Sequence, residues 1–487
     1  MKKLLIALCL LGSTFAADIV KHPRDLKYPP LNYQPPKASD YRHKLAGGAT
    51  AFLVPDTTLP LVSISVIVRT GSWLEPKGKE GLASLTGAQM RSGGTKSKPP
   101  LVFDEEAAYL AAQIGSFAGD TEAGASMNCL TKNLDVCLDM YFDMLKNPGF
   151  AEERLKLAKA QILQGLQRRN DATEQIEARE FSRLLRGPDF YTNRFSTKPS
   201  IESITREDML AFHDRYYFPS NFIVAASGDF DPKALQAKLE QHLAGWQNRT
   251  EVISPIPKPE FNPPGGVYVV NKAGVNQGRV RMGHPGIEFA NPDSIAVSVM
   301  NSILGGGGFT SRIMTRVRSD EGLAYQAGSS FVPGIFYPGT FSAIFQSKSP
   351  SIAQAAAIVL EEVQRIQTEK VSPDELRITA NSMIEGLPRR FATAAAKAQQ
   401  FANDDYEKIP DDYWTKYRDR VRAVTADDVQ RVAKQYLKPG QLTILIVGDS
   451  ESILKGNPDK PQYQVTRFGK VTMLPLPDPL TLVYPAQ

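Results

Sequence analysis

Histidine and cysteine are scarce in this chain. The 487 residues hold five histidines (His22, His43, His213, His242 and His284) and three cysteines (Cys9, Cys129 and Cys137). No two histidines stand three or four residues apart and no C-x-x-C pair occurs, so a local His/Cys metal motif is absent. An excess of one charge is missing too. Lys+Arg number 57 and Asp+Glu 52, a net of +5, which gives no electrostatic case for a nucleic-acid partner. Nothing resembles G-x-G-x-x-G after a strand, and no G-x-S-x-G elbow is apparent. What is present is an ordinary globular balance of 42 % hydrophobic, 22 % charged and 9 % aromatic residues. That excludes a disordered, collagen-like or disulfide-framework protein, and the length implies two or more domains with sizeable cores.

The first residues read Met1-Lys2-Lys3, an apolar run from Leu4 to Leu11, then Gly12-Ser13-Thr14-Phe15-Ala16. A basic start, a short apolar stretch and small residues at Thr14 and Ala16 predict a secretory signal peptide, 1–16, cleaved after Ala16. The alternative, a membrane anchor, fails on length, since a span needs about 20 apolar residues. Cys9 has no lipobox-like triplet before it, so no lipid anchor is expected. The expected location is the periplasm, or the medium after secretion. There Cys129 and Cys137 could pair in a disulfide or remain buried thiols.

Two proline-rich stretches punctuate the chain. The first, within 17–40, predicts an extended arm. The second, Pro255 to Pro264 followed by Gly265-Gly266, resists helix and central strand and reads as a linker over 253–266. It divides an N-terminal domain, 41–252, from a C-terminal domain, 267–487. The two look duplicated. Ile204 to Asp229 and Val424 to Asp449 align without a gap at Thr205/Thr425, Asp208/Asp428, Tyr216/Tyr436, Pro219/Pro439 and Gly228/Gly448. Each copy reads as a capping threonine, an amphipathic helix, a proline turn and a β-branched strand. Alternation from Leu61 to Arg69 predicts a half-buried strand. Helical patterns run over 103–114, 133–145, 292–304 and, as one long pattern, 151–186, with a further strand over 339–346. The expected class is α+β: two homologous domains, each a mostly antiparallel sheet covered by helices.

Residues 71–95 read GSWLEPKGKEGLASLTGAQMRSGGT. This frame resembles the pitrilysin/insulinase family of zinc peptidases, the inverzincins, at Gly71, Ser72, Glu75, Pro76, Gly78, Gly81, Leu82, Ala83, Gly94 and Thr95. There an H-x-x-E-H helix supplies two zinc ligands and a general base. This chain has Ser84, Gly87 and Ala88 at those positions, none able to hold zinc tightly or take a proton from water. The family's third ligand is a Glu on a later helix, and the corresponding 154–170 stretch contains no Asp or Glu. The resemblance therefore implies no metal ligands in this chain.

Leu304 to Tyr325, LGGGGFTSRIMTRVRSDEGLAY, resembles the family's C-terminal motif, as does Gly-Leu-Pro-Arg-Arg-Phe at 386–391. The resemblance implies catalytic roles for Arg318 and Tyr325 in stabilising charge on the scissile carbonyl, with Gly305, Gly306, Gly307, Gly308 and Phe309 binding substrate. A phenol O–H beside a guanidinium suits that chemistry. Taken alone, the glycine run could instead cradle phosphate, but no Gly-Lys-Ser/Thr follows. Arg318 alone could be a solvated cation and Tyr325 a core aromatic. In some bacterial members the labour is split between two chains, one with H-x-x-E-H and one with Arg/Tyr. The expectation is the second kind: the non-zinc subunit of a heterodimeric zinc endopeptidase, inactive without its partner. Zinc would sit in that homologous H-x-x-E-H subunit, and peptides would be the substrates. The alternative is a catalytically inactive structural or peptide-binding homologue.

Overall fold

The duplication seen in one segment extends through the whole architecture. The computed structural model describes residue 26, residues 32–249 and residues 253–486, of which those from Pro35 onward belong to one compact unit. The expected signal peptide and most of the arm lie outside the described residues. The first sheet contains β1 (Arg42–Lys44), β2 (Thr50–Pro55), β3 (Leu61–Val68), β4 (Gln113–Ala118), β5 (Ala123–Leu130) and β6 (Phe222–Gly228). The second contains β7 (Gly266–Asn271), β8 (Gln277–Pro285), β9 (Ala324–Val332), β10 (Thr340–Lys348), β11 (Thr443–Gly448) and β12 (Val471–Leu474). Five strands of the first run in the order β2-β6-β3-β5-β4, and five of the second in the order β7-β11-β8-β10-β9. Only β2–β6 in the first sheet, and β7–β11 and β12–β7 in the second, are parallel. The fold is α+β with two mostly antiparallel sheets, as expected.

The repeated segments show why they fold alike. The Thr205 hydroxyl accepts the Asp208 amide at 3.2 Å, and the Thr425 hydroxyl accepts the Asp428 amide at 3.1 Å. Each satisfies an orphan N–H at a helix start. Helices Arg206–Tyr216 and Ala426–Tyr436 follow, then proline turns, then β6 and β11.

On the first sheet lie α1 (Leu82–Ser92), α2 (Pro100–Tyr109) and α3 (Leu134–Lys146), with α4 (Glu152–Gln167) packed outside α1 in the same core; α5 (Thr173–Arg186) follows in the chain. Two expectations need correction here. The 103–114 helix stops at Tyr109, because Ala111 takes a left-handed φ of 51° and Ile114 already belongs to β4. The 151–186 pattern is two helices, α4 and α5, and they join different cores. The apolar face of α5 (Ile176, Phe181, Leu185) packs on Val270, Leu445 and Val447 of the second sheet. In return, helix Ala394–Glu407 packs on β2 and β6 of the first. Its Phe401 ring lies 5.9 Å from Phe52, and its Gln399 accepts a hydrogen bond from Ser65 at 2.8 Å.

The exchange couples the two halves energetically. Phe181 is 3 % exposed, and Phe181→Ala is expected to cost about 3–5 kcal/mol by emptying that contact. Because the contact spans both halves, urea unfolding of wild type and variant should remain a single transition by fluorescence and circular dichroism. Two separated transitions would show that the halves melt independently.

Cys129 on β5 and Cys137 on α3 are free, fully buried thiols of the first core, and burial pushes Cys129 up to about 12. Neither is placed to act as a nucleophile.

Candidate functional site

The degenerate zinc helix is built soundly. Glu75, 6 % exposed, accepts the Ala83 amide at 2.7 Å and the Gly81 amide at 3.1 Å, so its carboxylate caps the N-terminus of α1. Burial pushes its carboxyl up to about 7, against the pull of those amides and of Arg194. Ser84 and Ala88 face outward, and Gly87 faces inward under β4. A Cβ at Gly87 would stand 2.3 Å from the Phe117 carbonyl carbon and 2.3 Å from the Ala118 nitrogen. Those are backbone atoms of the strand above, held there by the Ser116 hydroxyl donating to the Gly87 carbonyl at 2.6 Å. The position where a base would project is filled by main chain. Among the described residues, no group of three or more His, Cys, Asp or Glu is placed to hold a metal ion. The residues present do not fit the family's zinc.

The second motif is open. Helix Ser294–Asn301 continues into a widened turn over 302–306, closed by the Gly307 amide donating to the Ser302 carbonyl at 2.8 Å. Three glycines are required by the protein's own packing. A Cβ at Gly305 would meet the Ser329 nitrogen at 2.4 Å, one at Gly306 the Asn301 amide nitrogen at 2.7 Å, and one at Gly307 the Ser302 carbonyl oxygen at 2.6 Å. Gly308 alone has open space around it, with φ at +66°. Gly305 thus lets the turn approach β9, and Gly306 and Gly307 let it close on Asn301 and Ser302. Asn301 and Ser329 lock that contact at 2.7 Å.

Beyond the turn, Arg312 forms a two-pronged pair with Glu375 at 2.6 and 3.0 Å, and Arg316 pairs with buried Glu362 at 3.0 Å. Arg318 is different. Its guanidinium lies 4.7 Å from the Phe309 ring centroid and 4.8 Å from that of Tyr325, between two cation–π partners. Phe309 is 72 % exposed and Tyr325 79 %. Tyr325 is the second residue of β9, the edge strand of its sheet. It is neither the core aromatic nor is Arg318 the solitary cation that each residue alone would allow.

A hollow of about 710 Å³ opens beside this stack. Gly305, Gly306, Gly308 and Tyr325 line one side, with Gln277, Arg279 and Lys348 of β8 and β10 opposite. Gly307, Phe309 and Arg318 are not among its lining residues. The opposite wall was not singled out in sequence, although the alternation Gln277-Gly-Arg-Val-Arg-Met of β8 carries the signal. No histidine, aspartate or glutamate lines the hollow. The site can bind and can donate a hydrogen bond, but it holds no base to activate water.

Residues 51–185 match the family described as insulinase (peptidase family M16), and residues 203–383 match the peptidase M16 inactive domain. The chain belongs to the M16 peptidase family. It is an M16 member of the inactive-domain type. It is similar to the non-peptidase homolog YmxG of Helicobacter pylori, 23 % identical over 81 % of this chain and 90 % of that one. It is also similar to the zinc protease PqqE of the same organism, 22 % identical over 83 % and 91 %. The M16 inactive-domain structure from Pseudomonas fluorescens superposes with a TM-score of 0.75 at 23 % identity, covering 84 % of this chain and 97 % of that one. Among the described residues, no helix of this M16 chain is long and apolar enough to cross a membrane.

Proposed function

We propose that this chain is the non-zinc subunit of a heterodimeric zinc endopeptidase of the periplasm, bringing Arg318 and Tyr325 to a partner's active site. One contrast carries the reading. The zinc helix is sealed by main chain at Gly87, whereas the Arg318–Tyr325 stack stands exposed on an edge strand beside a large hollow. An exposed phenol held on a guanidinium suits a hydrogen-bond donor offered to a group outside its own chain. Helicobacter pylori has both a zinc protease and a non-peptidase homolog similar to this chain, which fits a division of labour. The zinc, its ligands and the general base would belong to the H-x-x-E-H chain. Division into two homologous domains across the 253–265 proline stretch would give this subunit its half of a chamber.

The name of the non-peptidase relative favours the second reading, a scaffold or peptide-binding homologue. Co-expression with the exported H-x-x-E-H homologue of the same genome separates the two. The expected result is a mixed dimer on size exclusion that cleaves peptides, with elemental analysis finding zinc in the complex and none in this chain after dialysis. A stable monomer that ignores the homologue would leave only the scaffold.

A further inference from the structure

We propose that the open face of the second sheet selects extended peptide segments rich in aspartate and glutamate. The inference rests on the reading of this chain as the wall of a peptide-handling chamber and adds a substrate class to it. The hollow beside Tyr325 continues into a second, of about 450 Å³, between α5 and the β9–β10 hairpin; Ser330 and Ser342 line both. Together they form one groove along β10. Four cations line it, Arg279 and Lys348 in the first hollow and Arg186 and Arg281 in the second, and no aspartate or glutamate lines either.

The four are not equivalent. Arg279 and Arg281 both turn to Glu177, which is fully buried, and Arg279 also reaches Glu174 at 3.5 Å. Their charge is largely spent within the protein. Lys348 and Arg186 make no ion pair among the described residues. They stand at opposite ends of β10: Lys348 is its last residue, and Arg186 donates to Thr340, its first, at 3.1 Å. The strand has nine residues, and its eight steps of about 3.4 Å put Thr340 and Lys348 about 27 Å apart along the backbone. An extended peptide of about eight residues covers that length. Its carboxylates would meet a cation without a carboxylate partner at either end, Lys348 at one and Arg186, which rests over the Tyr337 ring at 5.7 Å, at the other, while lysine or arginine side chains would be repelled by both. Low-dielectric walls on both sides of a groove focus such a field.

The test uses the full mature chain without its partner, so that nothing is cleaved. Two dye-labelled peptides of equal length and apolar content, one with glutamate and one with lysine at alternate positions, are titrated by fluorescence anisotropy. The glutamate peptide is expected to bind about tenfold more tightly, as two partly screened charge contacts allow. The difference should shrink at about 0.5 M salt, where exposed charges are screened within a few ångströms. Lys348→Glu, at an exposed position, should abolish the difference without changing the melting temperature, and Arg186→Gln should reduce it. Equal binding, tighter binding of the lysine peptide, no binding of either, or a preference that survives both substitutions together would overturn the proposal. The proposed pairing fails separately. If an H-x-x-E-H partner produces no cleavage while the anisotropy difference stands, the heterodimer reading falls and this one remains.

Discussion

Rebuilding the H-x-x-E-H motif in α1 is expected to yield a destabilised protein with no metal. Ser84→His and Ala88→His place side chains on an outward face and should be tolerated. Gly87→Glu should not be. Its Cβ alone would lie 2.3 Å from two backbone atoms of β4. Backbone cannot rotate away as a side chain can, so β4 would have to lift from α1. That lift breaks the hydrogen bond from Ser116 and strains the β4–β5 ladder from Gln113 to Ala118. Gly87→Ala isolates the steric part and should cost about 3 kcal/mol in urea unfolding, the upper range for overpacking a core. A glutamate adds a buried carboxylate with no cation to meet it, a further cost. Even a variant that folds lacks a third ligand, because residues 154–170 contain no carboxylate. Elemental analysis of the triple variant should find no zinc. One zinc per folded chain would show that the site is merely unfurnished rather than closed.

Gly87 illustrates what the sequence can and cannot reveal. That an H-x-x-E-H frame holds Ser, Gly and Ala is visible in a line of letters. That β4 has settled onto the glycine is a tertiary fact, since Phe117 and Ala118 lie thirty residues away. The repeated cap, helix, turn and strand were legible because each device is local: a threonine hydroxyl bonds an amide three residues on, and a proline ends the helix. The exchange of α5 and the 394–407 helix was not. An amphipathic pattern shows that a helix has an apolar face and not which sheet receives it. The division of 151–186 into two helices was hidden for a related reason: the break at Arg168–Ala172 contains neither glycine nor proline. Likewise α2 ends through Ala111 in a left-handed conformation, a role usually given to glycine.

The glycine run teaches the same lesson at the site. Four consecutive glycines beside a catalytic motif read as room for substrate. Three of them are small because Ser329, Asn301 and Ser302 press against them. Gly305 lets the turn seat on β9 and the next two let it close on Asn301 and Ser302, while Gly305, Gly306 and Gly308 also line the hollow.

Tyr325→Phe should lower the kcat of the mixed complex by about 10²–10³, the usual cost of one lost oxyanion donor. The partner's metal centre would supply the attacking water. As that attack proceeds, negative charge grows on the carbonyl oxygen, and a phenol O–H aimed at it donates a hydrogen bond that strengthens with the charge. The substitution removes that hydroxyl alone. The ring, with Arg318 at 4.8 Å, stays, and at 79 % exposure the residue contributes little to the core, so the melting temperature should hold. Arg318→Ala should act twice. It removes positive potential beside the oxyanion and unseats both rings that sandwich it, so kcat should fall and KM rise. Arg318→Lys keeps the charge without the flat guanidinium that stacks on Phe309 and Tyr325, and it should recover only part of the loss. If Tyr325→Phe leaves kcat within about twofold, less than about 0.5 kcal/mol of barrier, the phenol is no donor. The exposed stack would then be a surface that grips peptide, and the chemistry would lie wholly in the partner.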